Sequence, residues 1–194
     1  MTGHTLPATY FDDLYARDPD PWRFRTSDYE RDKYAETVAA LEQRRFGRAI
    51  EVGCSIGELT ARLARHCDAL LGVDVAEQAL GFARKRNAGE PHVSFRRLKL
   101  PEEGPRGPYD LIVLSEVLYY FDADDLKRMA GWVCQALAPA GVVLLVHWLG
   151  ETPDYPLSGD EAVEAFLSAA GPQLTTDLQR RRERYRLDRL VRPA

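Results

Sequence analysis

A glycine-containing turn and two acidic residues are the first features of this sequence that can do chemistry. The turn, Glu51-Val-Gly53-Cys54-Ser-Ile-Gly57, follows an apolar run, and its two glycines allow a sharp bend and close approach of a ligand to bare backbone. Asp74 ends the next apolar run, where a carboxylate can accept hydrogen bonds from both hydroxyls of a ribose. The two features together predict a site for a nucleoside.

The same turn argues against a dinucleotide. The fingerprint GxGxxG is not met, because counting from Gly53 its second and third glycines would fall on Ser55 and Glu58. Glu58 would also lie at a helix N-terminus and repel a pyrophosphate there. A nicotinamide-dependent reductase is therefore disfavoured, and S-adenosylmethionine, a nucleoside without phosphates, fits the turn and the acid better.

A second group of polar and aromatic residues follows two later apolar runs. Glu116, Tyr119 and Tyr120 come after one run, and His147 and Trp148 end another. At the carboxyl ends of parallel strands these side chains would face a ligand crevice. We therefore take Glu116, Tyr119 and His147 as candidate catalytic residues, with either His147 or Glu116 as a general base, and Tyr120 and Trp148 as substrate-lining. The alternative is that the tyrosines and His147 pack as core.

The elements that must position these residues alternate along the chain. Apolar runs at 48–54, 69–75, 93–98, 109–115 and 142–148 predict strands, and the segments between them have helical spacing. Such alternation predicts an α/β fold: a Rossmann-like, doubly wound, mostly parallel sheet with helices on both faces. The sheet has seven strands if 174–192 forms two short strands, and six if it forms one long strand.

Length and composition indicate one domain. The chain has 194 residues, of which 45% are hydrophobic and 29% charged, as in ordinary globular proteins. We divide it into an N-terminal cap or lid (1–30), a cofactor-binding core (31–150) and a final helix with terminal strands (151–194). Trp22 and Phe24 in the first segment are either a hydrophobic cap or a lid, and Trp22 is taken as substrate-lining. A helix is predicted over 28–45, with Ser27 and Glu30 as its capping box.

Several partners and cofactors are not expected from composition. The net charge of −4 gives no reason to expect nucleic acid, and no run of ~18 apolar residues or signal peptide points to a membrane. Three cysteines without a CxxC pattern favour the cytoplasm and argue against zinc, and no other metal-ligand spacing is present. The arginine run at 180–192 is interpreted as the polar face of an outer strand. A homodimer is left open.

The motifs together resemble a known class of enzymes. EVGCSIGELT followed by LLGVDV, then YDLIVLSEVLYY and LAPAGVVLLVHW, resemble the class I S-adenosylmethionine-dependent methyltransferases over about residues 28–150. The stretches DPDPWRFRTSDYERDKYAETVAAL, SEVLYY and DYPLSGDEAV resemble more narrowly the nodulation-factor N-methyltransferase (NodS-like) family. Members of that family methylate the free amine of a chitooligosaccharide, which would leave S-adenosylhomocysteine as the second product.

The class resemblance implies a role for each residue of the turn and the acid. Glu51 would orient the turn or meet the amino group of the cofactor. Gly53, Cys54 and Gly57 would approach its methionine part through the backbone, and Asp74 would hold the ribose hydroxyls.

The resemblance also implies roles at the other strand ends. Val75 would line the adenine pocket, and Ser115 and Glu116 would lie beside the sulfonium. Tyr34, from the preceding helix, is included among the cofactor-binding residues. Many relatives carry an acid after the third strand, whereas Lys99 stands here and cannot accept a hydrogen bond. Adenine would then be held by backbone near Leu98 and by apolar packing.

The favoured function is transfer of a methyl group to an amine of a small-molecule or carbohydrate acceptor, without a metal. Methylation of a hydroxyl is one alternative. The second alternative, from a different class of function, is a non-catalytic module that binds the cofactor or a partner.

Overall fold

The computed structural model describes residues 3–193. The helices are α1 (Ala8–Arg17), α2 (Asp28–Ala39), α3 (Glu58–Leu63), α4 (Glu77–Arg86), α5 (Ala123–Ala136) and α6 (Gly159–Ala170), with short 3-10 helices at Ala64–His66, Leu118–Tyr120 and Gly171–Gln173. The strands are β1 (Ala49–Val52), β2 (Leu70–Asp74), β3 (Val93–Arg97), β4 (Tyr109–Ser115), β5 (Leu137–Trp148), β6 (Thr175–Arg181) and β7 (Tyr185–Val191).

The chain divides into two compact units, and the first is Pro7–Lys99. In it β2 pairs in parallel with β1 on one side and with β3 on the other. All four residues of β1 are buried, as expected of a parallel strand that is covered on both faces. Ile50, Leu63, Leu70 and Leu80 are among the largest fully buried side chains of this unit.

The second unit comprises Leu100 onward together with the described residues up to Leu6. β4 and β5 pair in parallel, with Ser115 opposite Val146, and β7 pairs antiparallel with β5 and with β6. The order in this unit is therefore β4-β5-β7-β6.

The predicted fold class is confirmed, since residues 3–193 form seven strands that alternate with helices, with parallel pairing in both units and an antiparallel pair in the second. The six-stranded alternative is wrong, because the segment 174–192 folds as a hairpin of β6 and β7 rather than as one long strand. None of the helices in residues 3–193 has both the length and the apolar character that a membrane crossing requires.

The first 45 residues differ most from the sequence prediction. α1 was not predicted. The helix expected over 28–45 ends at Ala39, because Glu42 (φ 52°) and Gln43 (φ 57°) adopt left-handed backbone conformations that no helix can include. Ser27 caps α2 as expected by accepting from the Glu30 N–H at 3.3 Å, but the Glu30 carboxylate accepts from Lys33 Nζ instead of completing the capping box.

The arginine run also differs from its interpretation as one polar face of an outer strand. The residues of β7 lie between β5 and β6, and its Arg186 and Arg189 are buried. Each is neutralised by a carboxylate: Arg186 binds Asp188 through two nitrogens, and Arg189 binds Asp177 in the same way. Buried arginines are tolerated inside the sheet because these bidentate pairs satisfy their N–H groups.

Candidate functional site

The turn after β1 has the backbone geometry that the glycines predicted. Gly53 (φ 71°), Ser55 (φ 51°) and Gly57 (φ 79°) are all in the left-handed region. A Cβ at Gly57 would lie 2.6 Å from Asn87 Nδ2 and 3.0 Å from Ala83 Cα, so α4 packs directly on the bare backbone of the turn. Gly57 is thus required both by its conformation and by its contacts.

Asp74 is held at the end of β2 by the backbone of its neighbours. Its Oδ2 accepts from the Ser55 N–H and its Oδ1 from the Ala76 N–H, both at 2.9 Å. Burial raises the pKa of Asp74, and these N–H groups oppose the rise by favouring the ionised form. The carboxylate is therefore fixed in one orientation, with each oxygen able to accept a further hydrogen bond.

An aromatic cover from the N-terminal segment packs on this turn. Tyr15 of α1 is buried with Ile56 and Ala76, and Trp22 and Phe24 pack against the same cluster. The rings of Trp22 and Phe24 stack with centroids 5.5 Å apart, and the Trp22 ring meets Tyr15 edge-on at 5.8 Å. Trp22, predicted to line the substrate site, therefore lies in the cover over the glycine turn.

Two other predicted cofactor residues are buried beneath the turn. Thr60 Oγ1 donates to Glu51 Oε2 at 2.5 Å, and burial raises the pKa of Glu51 to about 8, with Asp74 adding to the rise. Burial, together with Asp74 and Glu51, also raises the pKa of the Cys54 thiol, so this thiol stays protonated at neutral pH. Cys54 can contribute its backbone but not a thiolate.

Glu58 occupies the first position of α3, the helix N-terminus at which it was predicted to repel a pyrophosphate. Its carboxylate is buried, and Oε2 lies 2.5 Å from Arg86 Nη2 and 3.5 Å from Arg62 Nη1. A helix N-terminus that already carries a paired carboxylate is a poor site for a phosphate.

Tyr34 and the charged residues of α2 lie beside α3. The Tyr34 ring is buried between two cations, with the Arg62 guanidinium 5.1 Å and Lys33 Nζ 5.9 Å from its centroid. Lys33 is itself buried and pairs with Glu30 at 3.0 Å, whereas the exposed Arg31 pairs with Asp28.

The residues after β2 and β3 are less constrained. Val75 is half-buried, and its carbonyl accepts from Arg97 Nε at 2.8 Å. The Leu98 N–H donates to the Asp74 carbonyl at 3.1 Å, which commits that backbone group to the strand ladder. Lys99 is exposed. Because the Leu98 N–H is already bonded, Leu98 can contribute the apolar packing of its side chain to an adenine ring.

In the second unit, Glu116 directly follows β4 with a left-handed backbone (φ 55°). Its Oε2 accepts from the Tyr119 hydroxyl at 2.7 Å and from the Trp148 N–H at 2.8 Å, and its own N–H donates to the Val146 carbonyl. Ser115, the last residue of β4, is half-buried beside it. The strained backbone and the two donors fix the direction of the Glu116 carboxylate.

Three tyrosines form one cluster next to Glu116. Tyr119 stacks on Tyr155 with centroids 5.3 Å apart, and Tyr120 meets both rings edge-on at 4.7 and 4.8 Å. Burial, reinforced by the Glu116 carboxylate, raises the pKa of Tyr119 well above its usual value, so its hydroxyl remains a donor.

His147 and Trp148 end β5 on opposite sides of the strand. His147 has 0% exposure, and its Nε2 accepts from the Leu118 N–H at 3.1 Å. Trp148 is half-buried, and its indole fills the space that a Cβ at Gly150 would need.

No group of three or more His, Cys, Asp or Glu side chains with the arrangement of a metal site occurs in residues 3–193. The three cysteines, Cys54, Cys67 and Cys134, are buried and unpaired.

Comparison with known proteins assigns the chain to a family. A profile of the nodulation protein S (NodS) family matches residues 10–146, which is most of the chain. The chain belongs to the NodS family. Nodulation protein S of Bradyrhizobium diazoefficiens is 39% identical over 158 residues, covering 79% of this chain and 70% of the relative.

Other NodS relatives define the extent of the similarity. Nodulation protein S of Rhizobium tropici is 35% identical over 124 residues. These residues cover 63% of this chain and 52% of that relative. The crystal structure of N-methyltransferase NodS from Bradyrhizobium japonicum in complex with S-adenosyl-L-homocysteine matches with a TM-score of 0.83 and 24% identity. That match covers 96% of this chain and 98% of the crystallised one. At this identity the match establishes a shared fold.

Four contact residues in this NodS-family chain were not predicted to form the site. Ser55 and Thr60 lie within or just after the glycine turn, where polar side chains are an available signal. Tyr15 lacked such a signal, because its contact with Ser55 spans 40 positions of sequence. Tyr155 lies in an irregular segment, so no periodicity indicated its partners.

Proposed function

We propose that this protein transfers a methyl group from S-adenosylmethionine to an amine of a small-molecule or carbohydrate acceptor. The single observation that carries the proposal is the geometry of Asp74, whose two oxygens each accept one backbone N–H at 2.9 Å. A carboxylate held this way at the end of the second parallel strand is preorganised to accept the two hydroxyls of a ribose.

The neighbouring residues fit a nucleoside without phosphates. Gly53 and Gly57 would admit the methionine part to bare backbone, while Val75 and Leu98 would contact the adenine. The paired Glu58 carboxylate at the start of α3 disfavours a pyrophosphate. When bound, S-adenosylmethionine supplies an electrophilic methyl group on a sulfonium. The aromatic cover of Tyr15, Trp22 and Phe24 would exclude water from this part of the protein.

The acceptor side is assigned to Glu116 and the tyrosine cluster. An amine attacks only as the neutral base, yet in water near neutral pH it is mostly protonated. Glu116, oriented by Tyr119 and the Trp148 N–H, would attract the ammonium and accept its proton. Tyr155 and Trp148, both half-buried, would then present their rings to the acceptor.

The relatives support an amine as the acceptor, because the NodS protein of Bradyrhizobium japonicum is described as an N-methyltransferase. We therefore propose an amino sugar, of the chitooligosaccharide type that the sequence resemblance implies. The unpaired cysteines are consistent with the proposed cytoplasmic location. The homodimer stays a prediction, which sedimentation analysis of the purified protein would decide.

Calorimetric titration with S-adenosylhomocysteine tests the cofactor assignment. Asp74→Ala should weaken binding by at least about tenfold, the cost of one to two hydrogen bonds to a charged group. Asp68→Ala, which removes an exposed carboxylate that pairs with Arg45, is the matched control and should bind as wild type does. Wild-type affinity in Asp74→Ala would refute the assignment.

A methyl-transfer screen tests the acceptor. Amino sugars, small amines and phenols are offered with S-adenosylmethionine, and formation of S-adenosylhomocysteine is measured. Turnover with amines supports the proposal. Turnover confined to hydroxyls would identify an O-methyltransferase, and cofactor binding without any turnover would favour a binding module.

A further inference from the structure

His147 makes a contact that no general base could keep during catalysis. The imidazole is fully buried in β5, and Nε2 accepts the Leu118 N–H at 3.1 Å. An imidazole nitrogen that accepts a hydrogen bond carries no proton, so the neutral ring holds its proton on Nδ1. While the Leu118 bond exists, the Nε2 lone pair is engaged and cannot take a proton from a substrate.

The amide that His147 binds belongs to a helix that needs a partner there. Leu118 is the first residue of the short 3-10 helix Leu118–Tyr120, and its preceding residue provides no side-chain cap. The first N–H groups of a helix have no partner within it. His147 Nε2, from a different strand, satisfies one of them and so attaches this helix to β5.

The attached helix carries Tyr119, which orients the proposed acceptor carboxylate. The Tyr119 hydroxyl donates to Glu116 Oε2, and the Tyr119 ring meets the His147 ring edge-on with centroids 5.6 Å apart. Glu116 Oε2 is held from the other direction by the N–H of Trp148, the residue after His147. A shift of the helix would therefore move one of the two donors on Glu116 relative to the other.

We infer that His147 is a positioning residue: its unprotonated Nε2 holds the Leu118 amide and thereby keeps the Tyr119 hydroxyl on the Glu116 carboxylate. The inference rests on the proposed function, in that Glu116 is the group that meets the acceptor amine. It replaces the interpretation of His147 as general base with a defined structural contact.

Two substitutions of His147 separate positioning from proton transfer. In His147→Gln the side-chain oxygen reaches the position of Nε2 and can still accept the Leu118 N–H, whereas the shorter side chain of His147→Asn cannot. Neither amide can act as a base. A chitooligosaccharide whose terminal sugar carries a free amine serves as acceptor, and calorimetry with S-adenosylhomocysteine measures cofactor binding.

We expect His147→Asn to lower kcat/KM for the acceptor by about tenfold, the effect of losing one buried hydrogen bond, with cofactor affinity within about twofold of wild type. His147→Gln should recover most of that loss. Equal loss of turnover in both variants would overturn the inference and favour a general base. Unchanged turnover in His147→Asn would overturn it as well.

Heteronuclear NMR of the wild-type imidazole provides a readout that needs neither a folded variant nor an acceptor. We expect the neutral ring to be protonated on Nδ1 and not on Nε2, and a proton on Nε2 would refute the inference. If wild type methylates no acceptor, the proposed function fails while the NMR result still decides the tautomer that the inference requires.

Discussion

Tyr15 of α1 and Ser55 of the glycine turn share a hydrogen bond between their hydroxyl groups. The Ser55 N–H in turn donates to Asp74 Oδ2 at 2.9 Å. Tyr15 is buried, and its pKa is raised by burial and by Asp74, so its hydroxyl stays protonated at neutral pH. The N-terminal helix is thereby connected to the carboxylate proposed to hold the ribose.

Tyr15→Phe should weaken binding of S-adenosylhomocysteine while leaving the fold intact. Loss of one hydrogen bond between neutral groups corresponds to about three- to tenfold in the dissociation constant, measured by calorimetry. Tyr10→Phe, on the same helix, is the control. Equal affinities of the Tyr15 variant and wild type would mean that Tyr15 contributes only packing.

Gly57→Ala should destabilise the protein. The backbone there has φ of 79°, and the new Cβ would lie 2.6 Å from Asn87 Nδ2. We expect a loss of about 1–3 kcal/mol in the free energy of unfolding, from strain and overpacking. Gly81→Ala in α4 is the control, because a Cβ there meets nothing within 4 Å, and it should stabilise by about 0.5–1 kcal/mol. Denaturant titration measures both, and equal effects at the two positions would contradict the prediction.

Tyr119→Phe should impair the reaction more than cofactor binding. The substitution keeps the ring in its stack with Tyr155 but removes the hydroxyl that donates to Glu116 at 2.7 Å. We expect kcat/KM for an amine acceptor to fall by about tenfold or more, since a donor to a charged group is lost. Tyr155→Phe, which leaves Glu116 with both donors, should have the smaller effect. The reverse order would contradict the assignment of Glu116 to the acceptor.

Arg186→Met should strongly destabilise the second unit. The Arg186 side chain is 5% exposed and binds Asp188, which is 0% exposed, so the substitution leaves a buried carboxylate without its cation. The expected loss is about 3–5 kcal/mol. Arg181→Met removes a pair with Asp160 from a side chain that is 60% exposed, and its cost should be far smaller because solvent screens an exposed pair. Thermal or chemical unfolding compares the two, and similar costs would show that burial does not determine the effect.

Glu51→Gln should become more stable relative to wild type as pH rises. Burial raises the pKa of Glu51 from 4.5 to about 8, so the folded state holds the proton more tightly than the unfolded state does. Wild type therefore loses stability between about pH 4.5 and 8, by up to about 1.4 kcal/mol per pH unit. The glutamine variant lacks this loss.

Chemical denaturation at pH 6 and pH 8 measures this difference. Glu151→Gln, at an exposed position, is the control and should show no such trend. A stability difference between Glu51→Gln and wild type that does not change with pH would contradict the raised pKa.

The strand ends that carry Asp74 and Glu116 could be predicted from the sequence. β2 and β4 are near-continuous apolar runs, and the first polar residue after such a run marks its end. The bounds of β4, Tyr109–Ser115, agree with the apolar run predicted at 109–115.

The contacts of Tyr15 and His147 could not be predicted from the sequence. Pro7 followed by Phe11, Leu14 and Tyr15 at helical spacing was a usable signal for α1, but nothing in it indicates Ser55 as a partner. His147 shows a second kind of limit. A histidine near the end of a strand is equally compatible with a base and with a buried acceptor, and the sequence does not indicate the Leu118 N–H as its partner.

The order of β6 and β7 has a consequence for how the chain is assembled during translation. β6 is synthesised first, but in the sheet it pairs with β7, and β7 separates it from β5. β6 therefore lacks its native partner until Tyr185–Val191 has left the ribosome. Until then the nascent chain exposes the open edge of β5, a surface prone to pairing with other chains.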